Sequence, residues 1–262
     1  MKLKLVPART GAAWVKLGMQ TFFKQPLAMA GLFFMFMALM SVATMVPFVG
    51  LPVAMTLLPA VTLGLMAASR EATLGKFPMP LILLSGFRAG PVKVRAMLIL
   101  GAMYATGFMC AIGLSYLMDG GGFARMYLGG LAPSAEMMAS GEFQGAMWVF
   151  IGLHLPVSLM FWHAPALVFW QGLPPVKSMF FSIVACFRNF WALTVFAGLW
   201  MAVMVMTVLG VTALAALLDT PGLAATLLFP ALLLVAAMFF TSLFFTYRDS
   251  FEDPVPASAP PQ

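Results

Sequence analysis

The sequence predicts an all-α polytopic bundle of six transmembrane helices with amphipathic helices at the cytoplasmic interface, and three observations carry that prediction. Apolar residues make up 63% of the 262-residue chain and charged residues only 8%, against about 45–50% and 25% in soluble proteins. So few charges cannot coat a water-soluble globule of this size, which excludes a soluble enzyme and a disordered chain. The apolar residues gather in runs close to the ~20 residues that cross a hydrocarbon core. The basic residues gather in every second connection between those runs.

Taken in order, the predicted spans cover 27–49, 53–69, 94–118, 145–170, 190–218 and 223–247, forming one domain over 1–247. The first two are separated only by Gly50–Pro52 and read as a tight hairpin whose second limb is short. The N-terminal segment does not read as a signal peptide: five basic residues precede an apolar run long enough to span. Of the 14 lysines and arginines, all but Arg125 fall in the N-terminal segment, the second connection with Arg95 at the start of the span that follows it, the fourth connection, and the tail. By the positive-inside rule these are cytoplasmic. Both termini then lie in the cytoplasm, which an even number of spans satisfies. The connection Asp119 to Gln144 is exported, and Ser134 with Glu136 can start a short helix in it. The tail 248–262 carries four prolines and is expected to be disordered.

A repeat is legible in the order of these elements. Three Phe-basic pairs precede the odd-numbered spans (Phe23-Lys24, Phe87-Arg88, Phe187-Arg188), and three Pro-Ala pairs lie in the even-numbered ones (Pro59-Ala60, Pro165-Ala166, Pro230-Ala231). The unit is an interfacial helix, a span out and a span back. Triplication and chance recurrence in a Phe- and Ala-rich chain both fit these dipeptides. Gly101-xxx-Ala105 and Gly107-xxx-Ala111 on the third span have the spacing of close helix contacts.

The segment 175–189 reads as the clearest interfacial helix. It has Ser178, Ser182 and Asn189 on one face and Val176, Phe180, Ile183 and Phe187 on the other. Pro174 and Pro175 suit its start, and Lys177 and Arg188 can reach headgroups. Lys24, Arg88, Lys177 and Arg188 are the candidate contacts to anionic lipid. With the basic residues placed beside apolar spans, the net charge of +6 points to lipid rather than to nucleic acid.

Few residues carry chemistry. His154 and His163, the only histidines, project from opposite faces of the fourth span and cannot chelate one ion together. The 24 methionines are scattered as adaptable packing, and Cys110 and Cys186 lie in apolar segments as small hydrophobes. No cofactor or metal is expected, and no Asp or Glu falls inside a predicted span. Pro165 frees the Phe161 carbonyl next to His163, so His163, Pro165, Trp162 and Gln171 form the candidate polar or partner site.

The stretch Phe161 to Asn189, FWHAPALVFWQGLPPVKSMFFSIVACFRN, resembles an uncharacterised family of six-span inner-membrane proteins from Burkholderia and related betaproteobacteria. That family has a tryptophan before Ala-Pro-Ala-Leu-Val, then Trp-Gln-Gly, and a Phe-Phe-Ser helix ending in Arg-Asn. Phe-Phe-Lys-Gln-Pro at Phe22 to Pro26 and Pro-Phe-Val-Gly at Pro47 to Gly50 are similar as well. Phe187 and Phe190 stand where the family has tryptophans. A more distant likeness is to the membrane domain attached to some glycerophosphodiester phosphodiesterases. The resemblance implies the bacterial inner membrane and a helical fold, and no catalytic residue. The expected function is non-enzymatic, through lipid or protein contacts, as an accessory or assembly subunit of a larger membrane complex or as a homo-oligomer. The alternative is a transporter of a small molecule or lipid built on the proline-kinked even-numbered helices.

Overall fold

A computed structural model describes residues 2–130 and 132–252. Six of its helices are long and apolar enough to cross a membrane, and no strand is present among the described residues. Each of three helical hairpins is preceded by a short surface helix. The first unit is α1 (Thr10–Lys24), α2 (Pro26–Thr44) and α3 (Gly50–Thr73). The second is the 3-10 helix η1 (Pro80–Phe87), α4 (Pro91–Asp119) and the broken span α7 (Gly141–Phe161) and α8 (Ala164–Gln171). The third is α9 (Pro175–Arg188), α10 (Phe190–Leu217) and α11 (Pro221–Ser250). Two short helices, α5 (Gly122–Tyr127) and α6 (Ala135–Ala139), fill the longer connection in the second unit.

The units interlock in a ring. The surface helix of each packs on the return span of the unit before it: η1 on α3, α9 on α7 and α8, and α1 on α11. The Phe-basic pairs mark this, since α1 closes on Phe23-Lys24, η1 ends at Phe87 beside Arg88, and α9 closes on Phe187-Arg188. A cationic residue in a last helical turn also faces the negative end of the helix dipole. The Pro-Ala pairs do not occupy matching places. Pro59 and Pro165 are buried, whereas Pro230 is exposed on α11.

Small residues set the closest approaches, as expected where lipid and protein are equally apolar. A methyl on Gly101 of α4 would overlap the Thr56 carbonyl of α3. One on Gly11 would overlap Ala192 of α10, and one on Gly18 would overlap Ser242 of α11. At the hairpin ends, φ is positive at Phe48 and Asp219 in the two tight turns and at Gly120 and Gly121 in the longer one. Asp119 accepts from the Gly121 and Phe123 amides there, and Ser134 caps α6 by accepting from Met137.

Three boundaries depart from the sequence reading. The second span is not short: α3 has 24 residues, about 36 Å of helix. It is also the best buried, 56% of its apolar window against 17% for α10 and α11, so it is the centre of the bundle. The fourth span is not continuous, since α7 stops at Phe161 and α8 restarts at Ala164. The tail does not leave the fold at Arg248. The last helix continues to Ser250, and Phe251 is 2% exposed. The backbone then pairs with the N-terminal segment, Lys4 N–H on Ser250 O (2.9 Å) and Glu252 N–H on Lys2 O (3.1 Å). The rest of the expected disordered tail, 253–262, lies outside the described residues.

Candidate functional site

The break in the fourth span organises the site. In an unbroken helix the His163 amide would donate to the Leu159 carbonyl, and Pro165, lacking an N–H, cannot donate to Phe161. Ser182, on the neighbouring surface helix, sits between the separated groups. The His163 N–H donates to Ser182 Oγ (2.9 Å), and the Ser182 hydroxyl donates to the Leu159 carbonyl (2.8 Å). One side chain of α9 therefore satisfies both sides of the break, which membrane backbones require of some neighbour. Cys186, one turn on, lies 3.7 Å from the same carbonyl and 3.9 Å from His163 Nδ1. Burial pushes its thiol up to about 12, which favours the protonated form, a weak donor.

The candidate residues share this corner but point different ways. His163 is 1% exposed, with its ring edge-on to Phe251 (5.4 Å between centroids), and its Nε2 has no hydrogen-bond partner among the described residues. Trp162 donates Nε1–H to Thr246 Oγ1 of α11 (3.2 Å). Gln171 donates to Tyr247 OH (3.3 Å) and to the Glu252 carbonyl (3.0 Å), holding the chain after α11 against α8. Pro165 is buried. His154 is elsewhere, stacked on Phe150 (5.0 Å) and edge-on to Phe108 (5.6 Å).

The surface helix α9 is amphipathic in the sense opposite to that of a soluble protein. Ser178, Ser182, Cys186 and Asn189 are buried against the bundle, while Val176, Phe180 and Phe187 are each more than 60% exposed. Asn189 continues the inner face: its Nδ2 donates to the Lys4 carbonyl (3.1 Å) and Ser250 Oγ (3.3 Å), and its Oδ1 accepts from the Val6 amide (3.0 Å). At the same end Trp14 of α1, fully buried, donates to Asp249 (3.0 Å). Lys24, Arg88, Lys177 and Arg188 are exposed there.

Two cavities adjoin the break. A central one of about 190 Å³ is lined by all three return spans, among them Pro59 and Thr62 of α3, Ser158 and Pro165 of the fourth span, and Phe240 of α11. A lateral crevice of about 400 Å³ lies between α7 and α10, floored by Cys186 and Phe187. Trp162 lines both.

Sequence reasoning singled out the four candidate residues but missed their partners Ser182, Thr246, Tyr247 and Glu252. The signal for Ser182 was present. Small polar residues at 178, 182 and 189 on a helix flanked by exposed phenylalanines have the spacing of a helix-packing stripe.

These features define an all-helical, multi-pass membrane protein whose amphipathic helices lie against one end of the bundle. The chain is 36% identical over 256 residues to a probable inner membrane protein of Burkholderia thailandensis, an alignment covering 96% of this chain and 94% of that protein. It belongs to the family of that inner membrane protein, and it is itself a multi-pass protein of the bacterial inner membrane. No protein-family model matches it, and no solved structure does.

Proposed function

We propose that the protein is a non-enzymatic inner-membrane protein that acts by contact, holding anionic lipid and a neighbouring membrane protein at the end of the bundle that carries both termini, and that this end is cytoplasmic. The observation that carries this reading is the outward face of α9. Its small and polar residues are used internally, which leaves Val176, Phe180 and Phe187 pointing out with Lys177 and Arg188 beside them. An apolar helix face bordered by cations suits the headgroup layer of an anionic leaflet, where each basic residue contributes about 1 kcal/mol. The acids do not neutralise this end: among the described residues the one ion pair is Arg248 with Asp249. The positive-inside bias supports the orientation. The more distant likeness, to the phosphodiesterase-attached membrane domain, assigns no residue a role and carries no weight here.

The test is lipid retention. Changing both Lys177 and Arg188 to Gln is expected to lower the anionic lipid retained through detergent purification without lowering the melting temperature. Unchanged lipid in a folded double variant would refute the reading. Impermeant thiol labelling of Ser134→Cys, with none of Ser258→Cys, in intact cells is the expected result for the orientation, and equal labelling would refute this topology.

The transporter reading draws on the central cavity, which all three return spans line. Its 190 Å³ is below the ~300–1,000 Å³ of small-molecule sites, and no charged residue lines it. That volume suits the packing defects of kinked helices better than a substrate. A folded Ser158→Leu variant, filling the cavity, is expected to complement a deletion strain fully; loss of complementation would favour transport.

A further inference from the structure

We infer that the crevice between α7 and α10 is a binding site for one acyl chain of an anionic phospholipid whose headgroup phosphate pairs with Arg188. The inference rests on the lipid-contact reading above and gives it a site. Both walls are spans that make no extended contact with each other. The gap between them opens sideways, toward hydrocarbon, so its occupant comes from the bilayer. Leu155 and Leu159 face Leu193 and Ala197 across it, with Trp162 behind. Its three polar side chains are already engaged, the Thr194 hydroxyl with the Phe190 carbonyl (2.9 Å), the Cys186 thiol with the Leu159 carbonyl (3.7 Å) and the Trp162 N–H with Thr246 Oγ1 (3.2 Å). Nothing inside is left to bind a polar solute.

Shape separates the two apolar occupants. A helix about 10 Å across needs a groove open along its length, whereas this one is closed by Cys186 and Phe187 at its floor and by Trp162 behind. A single hydrocarbon chain is narrower and bends to the Pro156 segment that forms part of the wall. Charge then selects the lipid. Phe187 and Phe190 line the crevice, and Arg188, next in the chain to Phe187, is exposed with no ion-pair partner among the described residues. The adjacent Asn189 is occupied with Lys4, Val6 and Ser250. An exposed arginine one residue from the floor of a hydrocarbon slot matches a phosphate at the slot's end, to which it can donate two parallel hydrogen bonds. The seated chain would rest on Trp162, the wall shared with the central cavity.

The experiment uses the full-length protein in phosphatidylcholine vesicles containing a minor fraction of phosphatidylglycerol with a photoreactive group in its acyl chain. After irradiation, adducts are mapped by mass spectrometry. They are expected to concentrate on 155–162 and 190–197, above the labelling of the lipid-facing side of α2. Ala197→Phe fills the slot from an exposed position and is expected to bring those segments down to the α2 level, while Arg188→Gln lowers phosphatidylglycerol labelling about fivefold, the worth of one basic residue at an anionic surface, and lowers labelling by a photoreactive phosphatidylcholine, whose phosphate is balanced by its own choline, by less. Thr194→Leu serves as a second filling variant if Ala197→Phe melts early. Labelling that is even over all lipid-facing helices, or untouched by filling, would overturn the site. If Lys177→Gln with Arg188→Gln still sheds anionic lipid in that case, the contact reading stands and only the crevice fails. Adducts to a co-purified protein in the slot would overturn the acyl-chain assignment.

Discussion

The seam between α3 and α4 and the crevice between α7 and α10 join neighbouring units in the same way, return span to outgoing span, yet one is closed and the other open. At the closed seam Gly101 lets the α4 backbone meet the Thr56 carbonyl directly. At the open one the facing residues are Leu155, Leu159, Phe190 and Leu193, and Pro156 interrupts the wall. Leucine is no less apolar than glycine here, and lipid is as apolar as either, so hydrophobicity does not decide which spans touch. Side-chain size does, through how closely two backbones approach and how much dispersion contact they gain.

That account is most exposed at Gly101. Gly101→Leu drives a side chain into backbone that cannot yield and is expected to cost at the upper end of about 1–3 kcal/mol, read as a fall in melting temperature in detergent. Two other glycines of the same helix grade the effect. A methyl at Gly107 meets only the Val157 methyls at 3.2 Å, which can shift, and one at Gly113 meets open space. Gly101→Ala should therefore destabilise more than Gly107→Ala, with Gly113→Ala unchanged or slightly stabilising through better helix propensity. Equal melts for the three would break the comparison.

The open side keeps its shape because α9 holds α7 from below, and Ser182 is the tie. Ser182→Ala strands the buried His163 amide and leaves the Leu159 carbonyl only the weak Cys186 thiol, at about 1–3 kcal/mol. Ser178 is equally buried, but its hydroxyl returns to Pro175 of its own helix (2.6 Å). Ser178→Ala is expected to cost well under half as much, and a reversal of that order would remove Ser182 as the tie.

Trp162 joins the break to α11. Trp162→Phe keeps an aromatic wall and loses the bond to Thr246, so a cycle with Thr246→Val isolates one interhelical hydrogen bond. Its expected coupling is about 0.6 kcal/mol, the average for such bonds in a membrane. A coupling near zero would leave Trp162 as packing alone.

Much of this was readable in the chain. The spans follow from runs of apolar residues, and the Phe-basic pairs end the surface helices because a cation suits a last helical turn at an interface. Gly101-xxx-Ala105 identified the tight seam. The inward polar face of α9 was harder to see, because a Ser-Ser-Asn face looks like a solvated one until the opposite, apolar face is seen to be the exposed one. The Ser182 tie depends on which helix packs beside the break, a fact of topology absent from local pattern. Phe251 was hidden by the prolines that follow it, though one aromatic residue at the edge of a polar tail is the kind that docks.

The smallest effect expected is at His163, the residue that composition makes most conspicuous. Its ring is buried, its Nε2 has no close hydrogen-bond partner among the described residues, its Nδ1 lies 3.9 Å from a weak thiol, and the Thr246 backbone is a further polar neighbour. The hydrogen bonds that hold the break belong to its backbone amide, which any residue but proline supplies. Replacing a poorly satisfied buried polar group by an apolar one of similar size is close to neutral. His163→Leu should thus shift stability by less than about 1 kcal/mol, far less than Ser182→Ala, while keeping edge contact with Phe251. A thermal melt of the two variants side by side decides it. A loss at His163 equal to that at Ser182 would mean that the ring itself bonds within the corner, and the comparison of tied and open helices would have to be redrawn around the histidine.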